Sequence, residues 1–472
     1  MTTNLTRGAP TKNLLLFAVP FLIGNLFQQL YNIADMVIVG RVLSSTAYAA
    51  VGSVGSLVWF ASGTMGSLAV GFSMVTARYF GAQDEEGVKK SFASAIKLAL
   101  LISVLFSAIC ILIVRSVLEL LQYPADIIDR SYGYLIWILL GLVTTVFFHL
   151  FANMLRALGD SRTPLYFQVI ACVVNIILDY VLIALFGMDT DGAGLATVLA
   201  QLLSVVLCVW RIRRRYPALH VARRHFKSNR AMNLDLLKAG VPMACLTMVL
   251  SSGGIMVQTT TNRMGTLYVS SQTTGSKIMN LTIQPIMALS SALSVFAAQN
   301  FGAKQYRRVL QGARSAQLLG YAWYGIGVSV VTLLGKPIVR LLAGDITTDV
   351  VNNAYQYAVI TAALSALLIP VVMFKCVLQA TDRPLWPMIS GFTEIFGRMG
   401  LSVLTLLWMH TERLGESISE QIGYNIMCFA NPSAWMICLL TVLPSFVAMS
   451  RSFRRKETEE PTVQKEGEAC II

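Results

Sequence analysis

The sequence predicts an all-α polytopic membrane protein with twelve transmembrane helices, arranged as two parallel six-helix repeats. Three observations predict it. The 472 residues are 55% hydrophobic and only 13% charged, against ~25% charged in soluble chains. Apolar runs of ~20 residues, the length a helix needs to cross a bilayer, recur from end to end. Short motifs from the first half reappear in the second at a nearly constant offset.

The apolar runs place spans at 14–39, 47–77, 92–118, 132–155, 164–186, 193–211, 235–261, 268–299, 315–342, 351–380, 385–410 and 424–449. Several exceed ~20 residues, which implies tilt or ends that project into water. The polar start MTTNLTRGAPTKN leads straight into the first span, so no removable signal is expected. Counting span ends with the loops they adjoin, both termini and the even-numbered loops carry 27 Lys and Arg. The other side carries 7. The positive-inside rule then puts both termini in the cytoplasm of a multi-pass plasma-membrane protein, the inner membrane in a Gram-negative cell. The net charge of +13 is mostly this topology signal. The basic stretch RIRRRYPALHVARRHFK reads as a cytoplasmic loop beside anionic lipid, not as a nucleic-acid site.

Four segments follow. Residues 1–210 form an N-terminal six-helix lobe, 211–234 a basic cytoplasmic linker, 235–450 a C-terminal six-helix lobe, and 451–472 a charged tail expected to be disordered. The halves match in order. Ala18-Val19-Pro20 pairs with Gly240-Val241-Pro242, SMVTARYFGA with SVFAAQNFGA, and LRALGDSRTPL with VLQATDRPL. The offsets are 222, 221 and 220 residues for Pro20/Pro242, Gly81/Gly302 and Pro164/Pro384. Each half has an even number of spans, so both enter from the same side and their axis runs along the membrane normal. Two such bundles suit alternating access. A duplicated scaffold or a channel is the other reading.

The stretch LYNIADMVIVG carries a carboxylate, Asp35, in the first apolar span. Burying one there costs about 2.5–3.5 kcal/mol on insertion scales. Gln28, Asn32 and Asp35 share a helix face, and Pro20 upstream can kink that helix. Asn175 and Asp179 are one turn apart in span 5. Asn153 and His149 lie in span 4 and Thr197 in span 6. If these oxygen-bearing side chains converge, they can replace water around a hard cation or share a proton. Helix-packing hydrogen bonds are the structural alternative, and the favoured one for His149.

The second half differs. Gln258 lies in a neutral polar run of span 7, and Lys277 in span 8 has no assigned partner. Glu394 and Arg398 sit one turn apart and read as a self-neutralised pair, while Lys375 is expected to snorkel to the cytoplasmic surface. Pro20, Gln28, Asn32, Gln258 and Lys277 are the candidates for substrate contact or gating. The eight cysteines, with no CxxC, read as packing residues. Asp189-Thr190-Asp191 reads as a turn. No Walker A, HExxH or GxSxG motif is present, so no catalytic residue and no cofactor is expected.

Taken together, Pro20, LYNIADMVIVG, the paired FGA loops, RALGDSRTP and NIILD resemble the multidrug and toxic compound extrusion (MATE) family of secondary transporters. The resemblance spans the chain to about residue 450. It implies a V-shaped pair of six-helix lobes that exports organic, cationic or amphipathic compounds in exchange for Na⁺ or H⁺. It also implies a cation site in the N-terminal lobe made by Asp35, Asn153, Asn175, Asp179 and Thr197. The acidic residues that other members carry in the seventh and tenth helices have no counterpart here. The expected partners are small organic compounds and membrane lipids, with no nucleic acid and no obligatory protein partner. A lipid-linked oligosaccharide flippase of related architecture is the alternative, and a channel or receptor a more distant one.

Overall fold

In the computed structural model, residues 4–121, 123–227, 229–343, 347–409 and 416–469 are described, without the side chains of Asn32, Ser45, 342–343, 409, 416–419 and 459–469. Every regular element among them is helical. The first eight are α1 (Pro10–Val42), α2 (Ser45–Ser53), α3 (Gly55–Gly81), α4 (Glu85–Leu120), α5 (Ile128–Leu140), α6 (Leu142–Ala157), α7 (Arg162–Tyr180) and α8 (Thr190–Arg215). The second eight are α9 (Arg230–Asn262), α10 (Thr266–Gly302), α11 (Tyr306–Ala343), α12 (Thr348–Leu364), α13 (Leu368–Ala380), α14 (Leu385–Met409), α15 (Glu416–Met427) and α16 (Ala430–Ala469).

Nine of the described helices are long and apolar enough to cross a membrane. Counting the bent pairs α5–α6 and α12–α13 as one span each raises the number to eleven. The one expected span outside that count, 385–410, corresponds to α14, where Glu394 and Arg398 lower the hydropathy. The outside of the molecule is apolar, with Leu112 81% and Leu333 77% exposed, as a lipid-facing surface requires.

The two bent spans break at equivalent places. α5 and α6 meet at 46° across Gly141, and α12 and α13 at 54° across 365–367. The helix ends repeat as well. After each FGA motif the next residue but one from Gly, Gln83 or Lys304, takes a positive φ, 59° and 55°. Each turn closes with a bond spanning five residues, Asp84 N to Tyr79 O at 3.0 Å and Gln305 N to Asn300 O at 2.9 Å. α6 and α13 end the same way, with Asp160 N to Leu155 O and Arg383 N to Leu378 O. These are the 6→1 closures of Schellman ends, which satisfy carbonyls that the last helical turn leaves free.

The chain forms two compact units, residues 1–7 with 19–247 and residues 8–18 with 248–472. The boundary therefore falls inside α9, not in the linker 211–234, and the first part of α1 belongs with the second unit. In the first unit, Val39, Val54, Leu118, Leu139 and Ile183 contribute to the core. In the second, Met264, Tyr268, Ile278, Tyr424 and Met427 do so. Within the first unit α3 and α9 touch backbone to backbone. A Cβ on Gly71 would stand 2.5 Å from Gly240 Cα and 2.7 Å from Ala239 O. Only glycine fits at such a crossing.

The linker is largely ordered. Residues 217–219 and 223–226 form 3₁₀ turns. Tyr216 donates to Asp160, and Lys97 Nζ to Phe226 O at 2.8 Å. Burial and the neighbouring Asp160 push the Tyr216 phenol well above its ordinary pKa, so it stays a donor. The tail departs from the disordered expectation. α16 runs on through Ala469, so 451–469 are helical. Phe453 anchors its start, with its ring 5.9 Å from Phe301 and 4.9 Å from Tyr306, and Glu457 accepts from Arg307 N. Composition alone had hidden that one aromatic anchor. Cys470 and Arg413 lie outside the described residues.

Substituting Gly71→Val should separate α3 from α9 and lower stability by about 1–3 kcal/mol. A thermal melt of the purified protein checks this, with Gly55→Ala, where a Cβ meets open space, as the control.

Candidate functional site

α1 enters the first unit with Pro20 inside it and carries Asp35 fifteen residues further on. α7 carries Asn175 and Asp179 one turn apart and passes directly into a π-helical turn, Val181–Leu185. Such turns are rare and concentrate at functional sites. α8 brings Thr197. Asp35 is 5% exposed, while Asn175 and Asp179 are fully buried.

The two carboxyl groups of Asp35 and Asp179 are close enough to interact electrostatically. Two ionised carboxylates so placed repel, and a proton or a cation between them relieves that repulsion. Tyr134 OH, from α5, donates to Asp35 Oδ2 at 3.5 Å. With its carboxamide turned so that the nitrogen faces the carboxylate, Asn175 donates to Asp179 Oδ2 at 3.0 Å. Its oxygen then accepts from Thr197 N at 3.3 Å. The opposite orientation would set oxygen against oxygen. Tyr31 OH donates to Thr197 Oγ1 at 2.8 Å. Among the described residues Oδ1 of Asp35 and Oδ1 of Asp179 have no hydrogen-bond partner. An orphaned buried carboxylate oxygen is costly, and here there are two on one cluster.

Asp35, Asn175, Asp179 and Thr197 thus come together. Asn153 does not join them by a hydrogen bond. Its Oδ1 accepts from Arg156 Nη1 at 3.1 Å, three residues on along α6. Arg156 in turn stacks over the Phe21 ring at 4.6 Å. His149 packs beside Gly66. Gln28 accepts from Gln168 on α7, and the side chain of Asn32 lies outside the described residues. Gln258 donates to Asn262 at 2.8 Å on its own helix. Lys277 is exposed. Asp189 caps α8, accepting from Thr190 N at 2.9 Å, and pairs with Arg130 Nε at 2.7 Å, so it is a structural residue.

Two tyrosines were not foreseen. Tyr31 stands one turn before Asp35, so the helical period could have revealed it. Tyr134 comes from a different helix and carries no signal in the sequence. Lys375 corrects an expectation outright. It is 9% exposed and bonds Glu394 Oε2 at 3.0 Å, so it does not snorkel. The Glu394–Arg398 contact expected from their spacing is present at 2.9 Å.

This fold and site define a helical membrane transporter built from a repeated unit, with an acidic, oxygen-lined centre in its first half. The MatE family model matches the chain twice, over residues 20–181 and 242–404. The chain belongs to this family of multidrug efflux transporters and is not an enzyme. It is 25% identical to the probable multidrug resistance protein YoeA of Bacillus subtilis over 449 residues, 94% of each chain. It is 23% identical to the probable multidrug resistance protein NorM of Thermotoga maritima, over 82% of this chain and 83% of that one. A solved outward-facing multidrug resistance MATE family transporter shares the fold, with a TM-score of 0.84 at 19% identity. That match covers 95% of this chain and 99% of the other.

Replacing Tyr134 by Phe removes a hydroxyl that donates to Asp35 without removing a charge. Transport should persist with its rate changed by about threefold to tenfold, the net worth of one hydrogen bond. Efflux of a fluorescent dye from proteoliposomes holding the variant or the wild type measures it.

Proposed function

We propose that the protein is a secondary active antiporter that exports organic, cationic or amphipathic compounds in exchange for a monovalent cation by alternating access. The observation that carries this reading is the Asp35–Asp179 pair, two buried, electrostatically interacting carboxyls with an orphaned oxygen on each. Such a pair changes its local energy greatly when one positive charge arrives or leaves. The multidrug resistance names of YoeA and NorM support the substrate class.

The cycle follows from the electrostatics. A cation enters the first unit and neutralises the pair. Neutralisation lowers the cost of repacking α1 about Pro20, and the compound is released outward. The cation then leaves inward. Moving one charge through 100 mV supplies about 2.3 kcal/mol, and the concentration gradient adds to that. Repulsion between two buried carboxylates favours a proton held on the pair. The nearby hydroxyl oxygens of Thr197 and Tyr31 favour the second reading, Na⁺. Asn153, four residues from His149 on α6, is a proposed further ligand. Pro20, Gln28, Asn32, Gln258 and Lys277 are proposed to act in gating or substrate contact. Both termini are assigned to the cytoplasm from the distribution of Lys and Arg.

In proteoliposomes, Asp35→Asn and Asp179→Asn should each reduce cation-driven efflux of a fluorescent cationic dye by at least about tenfold, the loss of roughly one charge interaction. Imposing a pH gradient and a Na⁺ gradient separately identifies the coupling ion. Full efflux in both variants would contradict the scheme. Envelope-polymer loss without dye sensitivity in a deletion strain would instead support a lipid-linked flippase.

A further inference from the structure

The second unit holds a charged cluster of the opposite sign. Lys375 on α13 and Arg398 on α14 converge on the one carboxylate of Glu394, at 3.0 Å and 2.9 Å. Their side chains are 11%, 13% and 7% exposed in the order Lys375, Arg398, Glu394. Two basic groups against one acid leave one positive charge in surplus. An ion pair kept only for packing needs one partner per charge, and surplus charge at membrane depth is expensive.

The other contacts do not absorb the surplus. Cys438 also lies near the Lys375 ammonium. Arg398 Nη1 donates to Leu250 O at 3.3 Å, a neutral acceptor. Arg398 Nε is buried without a partner among the described residues. Space for the guanidinium comes from α9, where a Cβ on Gly253 would stand 3.1 Å from Nη1. The adjoining Gly254 faces open space. Both glycines follow Ser251 and Ser252, so α9 presents a polar, small-residue stretch beside the cluster. A guanidinium with an unused N–H is suited to a planar oxyanion, and Lys375 supplies a second point of charge.

We infer that the Lys375–Glu394–Arg398 cluster is a binding centre for the carboxylate or phosphate oxyanion of an organic substrate, with Arg398 making the contact and Lys375 supplying the excess charge. It deepens the transporter reading by extending the substrate class to zwitterionic and anionic amphiphiles. Glu394 holds the two cations in place and sets the net charge. The acid sits as a built-in competitor, so bound oxyanion and Glu394 share the same donors.

The test is binding without any gradient, so its outcome does not depend on how transport is coupled. Purified full-length protein is titrated with 1-naphthoate and its neutral counterpart 1-naphthamide, read by tryptophan fluorescence. The carboxylate should bind at least about tenfold more tightly than the amide, as one unscreened charge contact provides. Lys375→Met keeps the Glu394–Arg398 pair and should bring the ratio close to one, and Lys375→Arg should restore it. Glu394→Gln removes the competitor and should raise the ratio. Equal binding of the two probes by the wild type, an unchanged ratio in Lys375→Met, or a fall in both variants alike would overturn the inference. Where Glu394→Gln does not give a cooperative melt, the wild-type ratio and the Lys375 variants decide. Asp35→Asn should leave the ratio untouched. A failure here with gradient-driven dye efflux intact removes the oxyanion centre and leaves the antiporter reading standing.

Discussion

Two mutually repelling carboxyl groups buried inside an apolar bundle are the constraint on which the first unit depends. Nothing about packing favours them. Each carboxylate loses its hydration on burial, and the two repel when ionised. The structure surrounds them with donors, Tyr134 to Asp35 and Asn175 to Asp179, yet leaves an oxygen unpaired on each. Donors from four helices, α1, α5, α7 and α8, meet there. The bends and turns of the unit serve that meeting. The break between α5 and α6 aims α5 separately from α6, and the π-helical turn that follows Asp179 re-aims the end of α7.

Much of this was legible in the sequence, because helical period and membrane cost are strong rules. Asp35 stood out since a carboxylate in an apolar run demands a reason. Asn175 and Asp179 share a face by spacing alone. The repeat was legible because Pro20, the FGA loops and the Arg/Asp-Pro turns recur in order, and the helix-end geometry at Gln83 and Lys304 explains why those loops look alike. What was not legible depended on contacts between helices distant in sequence. Tyr134 reaches Asp35 across 99 residues. Lys375 reaches Glu394 from the preceding helix, whereas its position in the chain suggested an escape to the surface. Asn153 has the residue type the family resemblance calls for, but Arg156, one turn away, takes its carbonyl. Local competition of this kind cannot be read from residue type.

The units differ in charge at depth. The first buries two acids, the second two bases on one acid. Duplication supplied the same helical frame twice, and the polar side chains set into it have diverged in sign. The helix ends and bends repeat while the buried charges do not.

The central claim is that the Asp35–Asp179 pair changes its charge state when the coupling cation binds. Infrared difference spectroscopy on the reconstituted protein, recorded on acidification and on addition of Na⁺, reads carboxyl protonation directly. The account predicts a carboxyl band that appears on acidification or disappears on Na⁺ addition, and that is lost in Asp179→Asn. A spectrum with no carboxyl change under either condition, or one unaltered in that variant, would contradict it.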